Sequence, residues 1–158
     1  MKTLSYLRLI TGAFFLFFSC SPKTAGNYSF KTECYGIELD GSQTVKAWGN
    51  GRNRSDAVEQ AKKNAVRDVL FKGITEGRQD CEKRPLVPEV NAQMKYESYF
   101  NKFFTDGGEY KKFVSSKDQR EASSDKMGAR ESVTFGIVLR ILRADLKQKL
   151  IADGILTK

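Results

Sequence analysis

Histidine is absent from all 158 residues. That removes imidazole acid/base chemistry, Ser–His and Cys–His nucleophile pairs, and most metal sites. No run of five or six like charges appears, so neither a basic nucleic-acid arm nor an acidic tail is present. Gly49-Asn50-Gly51 is not followed by Gly-Lys-Ser/Thr, and the third glycine of a dinucleotide fingerprint is missing, so neither phosphate-loop pattern is complete. The carboxylate pairs Glu38/Asp40 and Asp125/Glu131 are pairs that any chain with 19 acids offers. Ser115-Ser116 and Ser123-Ser124 lack the lysine arrangement of a Ser–Lys dyad. Cysteine is scarce, at three, and two cysteines without histidine make a poor zinc site. No active site is legible, so no enzymatic activity, cofactor or metal is expected.

The N-terminus reads as an export signal. Lys2 and Arg8 form a positive leading region. Leu9 to Phe18 is apolar except for Thr11 and Gly12. About ten apolar residues are too few to span a hydrocarbon core of roughly 30 Å, but they suit the core of a signal peptide. Small Ser19 then precedes Cys20. The stretch Phe17-Phe18-Ser19-Cys20 resembles the lipobox of bacterial lipoproteins, in the looser form found in Bacteroidota. The resemblance implies cleavage after residue 19 and lipidation of Cys20. At ~0.8 kcal/mol per buried CH2, the two or three chains on such a cysteine anchor stably where one would be marginal. An ordinary secretory signal with Cys20 an incidental thiol is the plainer alternative. Residues 20–31 then form a flexible tether rich in Pro, Gly, Ser, Thr and Asn. Ser21-Pro22-Lys23-Thr24 carries no Asp at the second position, which by resemblance to lipoprotein sorting rules favours the outer membrane, facing the periplasm.

Removing residues 1–19 takes Lys2 and Arg8 from a chain of net charge +8 and leaves +6 on residues 20–158, of which 32–158 form a single domain. Such a surface suits anionic headgroups, peptidoglycan or an acidic protein, or is merely solvated. The compartment excludes nucleic acid. Cys34 and Cys81 fit a disulfide in an oxidising compartment, worth about 4 kcal/mol on the chain-entropy model; two separate buried thiols are the alternative.

Along the mature chain, Tyr35, Ile37 and Leu39 alternate with polar or small residues, as do Val45 and Ala47, which predicts strands over 34–39 and 43–49 joined at Asp40-Gly41. Ala57, Val58, Ala61, Ala65, Val69 and Leu70 predict a helix capped by Ser55 and stopped at Gly73. Its alanines let it pack close to the sheet. Residues 75–91 read as a long irregular loop. Tyr96, Tyr99, Phe100, Phe103 and Phe104 recur at helical spacing, either as core or as a partner-binding face. A weaker strand follows from Tyr110 to about Arg120, then a turn over 121–130. Val133, Phe135, Ile137, Leu139 and Ile141 predict the strongest strand, with Val138 and Leu142 on its second face. Leu146, Leu150 and Ile151 predict a terminal helix stopped at Gly154. The order ββ-α-α-ββ-α predicts an α+β fold: an antiparallel sheet of about four strands with helices packed on one face.

Val45 to Gly51, followed by Ala57, Ala61 and Ala65, resembles the strand–turn–alanine-helix unit of the N-terminal domain of flagellar assembly protein T and of related envelope lipoprotein domains. The resemblance covers about thirty residues and implies a βα layer used in protein assemblies, with no activity. In size and lipobox style, and in lacking enzymatic motifs, the chain is also similar to the outer-membrane lipoprotein of type VI secretion trans-envelope complexes. The expected function is a structural or assembly component of a cell-envelope protein complex. The alternative is peptidoglycan or glycan binding, with Trp48 and tyrosines as stacking platforms.

Overall fold

The computed structural model describes residues 30–121, 127–129 and 132–157; side chains are described for 30–115 and 132–157. Its framework is one mixed sheet. Strand β1 (Glu33–Ile37) pairs antiparallel with β2 (Gln43–Gly51) across a turn in which Gly41 takes φ 77° and Asp40 accepts from the Ser42 backbone N–H at 2.9 Å. The chain then enters helix α1 (Arg54–Arg67), which continues as a π-helical turn over Asp68–Lys72 and stops at Gly73. A two-residue strand β3 (Glu76–Gly77), short helices α2 (Ala92–Lys95) and α3 (Glu97–Phe103), and a 3-10 turn over Glu109–Phe113 follow. Strands β4 (Val114–Glu121), β5 (Met127–Ala129) and β6 (Ser132–Ile141) lead into α4 (Arg143–Ala152). The strand order is β3-β1-β2-β6-β4, with β5 also pairing β6.

The mixed α/β architecture agrees with the coarse expectation, and two details correct it. The sheet has more than four strands, and β3 runs parallel to β1, with Glu33 opposite Glu76 and Cys34 opposite Gly77. A side chain at residue 77 would put Cβ 2.1 Å from the Cys34 carbonyl oxygen, so only glycine lets the strand approach this closely. The region read as a strand from Tyr110 instead begins with the 3-10 turn. Tyr110 is fully buried there and hydrogen-bonded to Glu59, and a strand would have turned that ring off the core.

Helix α1 lies on β2 and β6 through Ala57, Ala61, Ala65 and Val66, all buried. The close approach that the alanines predict is real and needs glycine on the strand as well. A Cβ at Gly49 would meet Ala57 O at 2.1 Å and Ala61 N at 2.3 Å. The cap, expected at Ser55, is Asn53: its extended backbone lets the side-chain oxygen accept from Asp56 N–H at 2.9 Å. On the same face of the sheet, Val45, Ala47, Ile137, Leu139 and Ile141 meet Leu146 and Leu150 of α4 and the phenylalanines of α3 in one core. Among the described residues no helix is long and apolar enough to cross a membrane.

Candidate functional site

The π-helical turn sets up the surroundings of the site. Its wider winding closes Gly73 N–H onto Asp68 O at 2.7 Å and leaves two carbonyls to accept from elsewhere: Leu86 N–H donates to Val69 O at 3.0 Å and Val87 N–H to Leu70 O at 2.8 Å. The 75–91 stretch, which the sequence marks as a long irregular loop, is thereby fastened to the helix end. Cys34 and Cys81 are joined in a buried disulfide with Cα atoms 6.3 Å apart. The wholly buried Gln43 donates to Glu82 O at 3.0 Å, and Arg143 donates to Arg84 O at 2.6 Å. Of the two readings of the cysteines, the bridge is the one the structure contains.

The aromatic stripe divides. Phe100, Phe103 and Phe104 are buried and stack among themselves and on Phe113 and Tyr110. Tyr96 and Tyr99 are half-buried. Tyr96, at φ −113°, breaks the expected single helix into α2 and α3. Tyr99 donates its hydroxyl to Asp153 at 2.6 Å; burial first, and then that carboxylate, push its phenol pKa upward.

Trp48 is no open platform either. Its indole lies across Gly136, where a Cβ would be 3.0 Å from the ring. It also stacks on Phe30, with centroids 4.3 Å apart, and Lys46 Nζ is 4.7 Å from its centroid. The carboxylates of Glu38 and Asp40 are engaged separately, Glu38 by Thr44 at 2.8 Å and Asp40 by Ser42 at 2.5 Å, and the Ser42 hydrogen bonds hold Asp40 below the usual carboxylate range. Cys20, residues 1–29 of the signal and tether, Asp125, Glu131 and the Ser123-Ser124 pair lie outside the described residues. Among the described residues no group of histidine, cysteine, aspartate or glutamate side chains is arranged to hold a metal ion.

Two clefts flank the end of α1 and share Arg67, Phe71 and Gln93. The first, about 400 Å³, runs towards Phe30, Thr32 and Trp48. Several of its polar groups are paired: Thr32 donates to Asp68 at 2.5 Å, Lys72 lies 3.3 Å from Asp68, and Asn64 donates to Trp48 O at 2.8 Å. The second, about 470 Å³, lies between α1 and α2–α3, with Phe71, Phe100 and Phe104 below and Met94, Glu97 and Asn101 around it. Arg67 stands over the Phe104 ring at 4.7 Å. Sequence periodicity did not single out this cleft, because Arg67, Gln93, Glu97 and Asn101 come from three elements and read singly as solvated surface. The unusual turn at Asp68–Lys72 has no sequence mark beyond the glycine that ends it.

Compared with family models, with curated proteins and with solved structures, the chain matches none.

Proposed function

We propose that the chain is an exported lipoprotein, anchored through Cys20 in the outer membrane and facing the periplasm, whose folded domain is a non-enzymatic component of a cell-envelope protein complex. The observation that supports this reading best is the buried Cys34–Cys81 bridge. Such bonds persist in oxidising compartments, and this one fastens a segment that also takes Val69 O, Leu70 O and Gln43 as partners. A structural disulfide thus agrees with the export signal read from residues 1–19. The cleft beside α1 supplies an amphipathic surface for a partner. The glycan reading loses its main platform, since Trp48 is already stacked on Phe30 and lies across Gly136.

Metabolic labelling with an alkyne fatty acid in the native host tests the anchor. The full chain is expected to carry the label in the outer-membrane fraction and to lose it, with its membrane retention, on Cys20→Ser. Unlabelled wild-type chain in the soluble fraction would overturn the lipoprotein reading.

A further inference from the structure

The apolar side chains left uncovered are not scattered. Among the described residues five large ones are exposed, and three of them, Tyr35, Ile37 and Leu39, lie within one five-residue stretch of the β1–β2 hairpin. Leu39 stands wholly exposed at the tip, in a turn closed by Gly41 N–H on Glu38 O and by Glu38 N–H on Ser42 O, both at 2.9 Å. A convex tip that carries a leucine fits a soft layer better than the flat surface of a folded protein. The two carboxylates beside it have donors close by. Glu38 accepts from Thr44 at 2.8 Å and lies 3.8 Å from Arg140, and Asp40 accepts from the Ser42 backbone at 2.9 Å and from its hydroxyl at 2.5 Å. Such pairing lowers the cost of bringing the turn against a poorly hydrated surface.

The chain that precedes the domain decides which surface is in reach. Phe30 is stacked on Trp48, with centroids 4.3 Å apart, and Trp48 lies towards the end of β2 remote from the tip. The free part of the tether therefore ends at the base of the hairpin. The stretch from Cys20 to Phe30 spans at most about 33–36 Å. Strand geometry carries the chain about 30 Å from Phe30 to Leu39, at ~3.3 Å per residue. A lipid on Cys20 thus leaves enough slack for the domain to lie along the membrane with its tip in contact. Resting on the lipid anchor proposed above, we infer that the hairpin tip is a second membrane contact. Leu39 enters the boundary between headgroups and acyl chains of a phospholipid layer, flanked by Ile37, with Tyr35 at headgroup level, the depth that tyrosine favours. Three side chains hold a free domain weakly. The anchor makes their contact intramolecular, at an effective concentration of about millimolar.

The test uses the lipidated chain reconstituted into vesicles of phosphatidylethanolamine and phosphatidylglycerol with brominated acyl chains. Trp48 is the only tryptophan. In a Trp48→Phe background, which keeps an aromatic ring on Phe30, Leu39→Trp puts the sole indole at the tip. Arg52→Trp, at a position 90 % exposed, puts it past the other end of β2. A domain that merely hangs from its tether brings residue 52 nearer the bilayer than residue 39. The expected result is the reverse, with Leu39→Trp quenched about threefold more than Arg52→Trp, as burial about 5–10 Å into the interface predicts. That excess should survive high salt and purely zwitterionic vesicles, because apolar burial carries it. Melting temperatures equal to that of the wild type show that each variant is folded. Equal quenching, stronger quenching of Arg52→Trp, or an excess that needs anionic lipid overturns the inference. A second measurement leaves Trp48 in place: a photoreactive residue at position 39 in the native host should give lipid adducts. Protein adducts alone would overturn the lipid contact and leave the anchor standing; a purified chain without fatty acid overturns both.

Discussion

Two stretches of the chain look alike on paper and behave in opposite ways. Tyr99 to Phe104 and Tyr35 to Leu39 are both short, apolar and periodic. The first is sealed: Phe100, Phe103 and Phe104 are at most 7 % exposed. The second is open: Tyr35 is 43 %, Ile37 42 % and Leu39 110 % exposed. Periodicity reports which side chains share a face; it does not report whether anything covers that face. At the hairpin the pairing slips between Cys34 and Gly36, and Tyr35 and Ile37 keep their alternation and are both left exposed. At α3 the covering surfaces are Phe71, 29 residues away from Phe100, and Tyr110 and Phe113 on the turn that follows the helix.

Substitutions sharpen that contrast. Phe103→Ala should have the largest effect, lowering unfolding free energy by about 3–5 kcal/mol in chemical denaturation, since it empties a site ringed by aromatic neighbours. Cys81→Ser comes next, with a loss of about 2–4 kcal/mol. Differential alkylation before and after reduction should show Cys34 and Cys81 protected together in the wild type. Tyr99→Phe removes a half-exposed hydrogen bond to Asp153 and should cost about 1 kcal/mol. Leu39→Ser should move stability by less than about 0.5 kcal/mol, because an exposed side chain at a turn has little to lose. A loss of several kcal/mol at Leu39, or none at Phe103, would break the comparison.

Acid should act through the carboxylates whose pKa values partners lower in the fold. For Glu59, burial alone would raise the pKa, but the hydrogen bonds from Lys111 and Tyr110 outweigh it and leave it lowered. Asp106 is lowered by Lys63, and Asp153 by Tyr99 despite some burial. A depressed folded-state pKa contributes stability above the ordinary carboxylate value near about 4, and that stability is lost as pH falls through the depressed values. Melting temperature should therefore hold from neutral pH to about pH 5 and fall steadily below it, with Lys63→Ala reducing the size of that fall.

Much of the frame was legible. The alanine stripe of α1, the turn at Asp40-Gly41 and the ten-residue alternation of β6 each follow from local chemistry, and the structure contains all three. What was not legible depends on partners far away in sequence. Nothing near residue 76 announces that Glu76-Gly77 will lie beside β1, and Asn53 displaced Ser55 as cap through backbone geometry that composition does not encode. The cleft is the extreme case. Phe100 and Phe104 of its floor stand on the aromatic stripe, while Phe71, Arg67 and Glu97 carry no sequence signal that joins them to it.

The nine-residue ladder between β2 and β6 joins Gly51 to Val133 and Gln43 to Ile141. These partners are separated by 82 to 98 positions, and they are the two strands on which α1 rests. Until residues 132–141 have left the ribosome, β2 has no neighbour on its inner side and the α1 face has half a floor. Native contacts of such long sequence separation form slowly. The topology thus keeps the nascent chain unfinished for most of its synthesis, which is the state in which a polypeptide can still be threaded through a narrow channel.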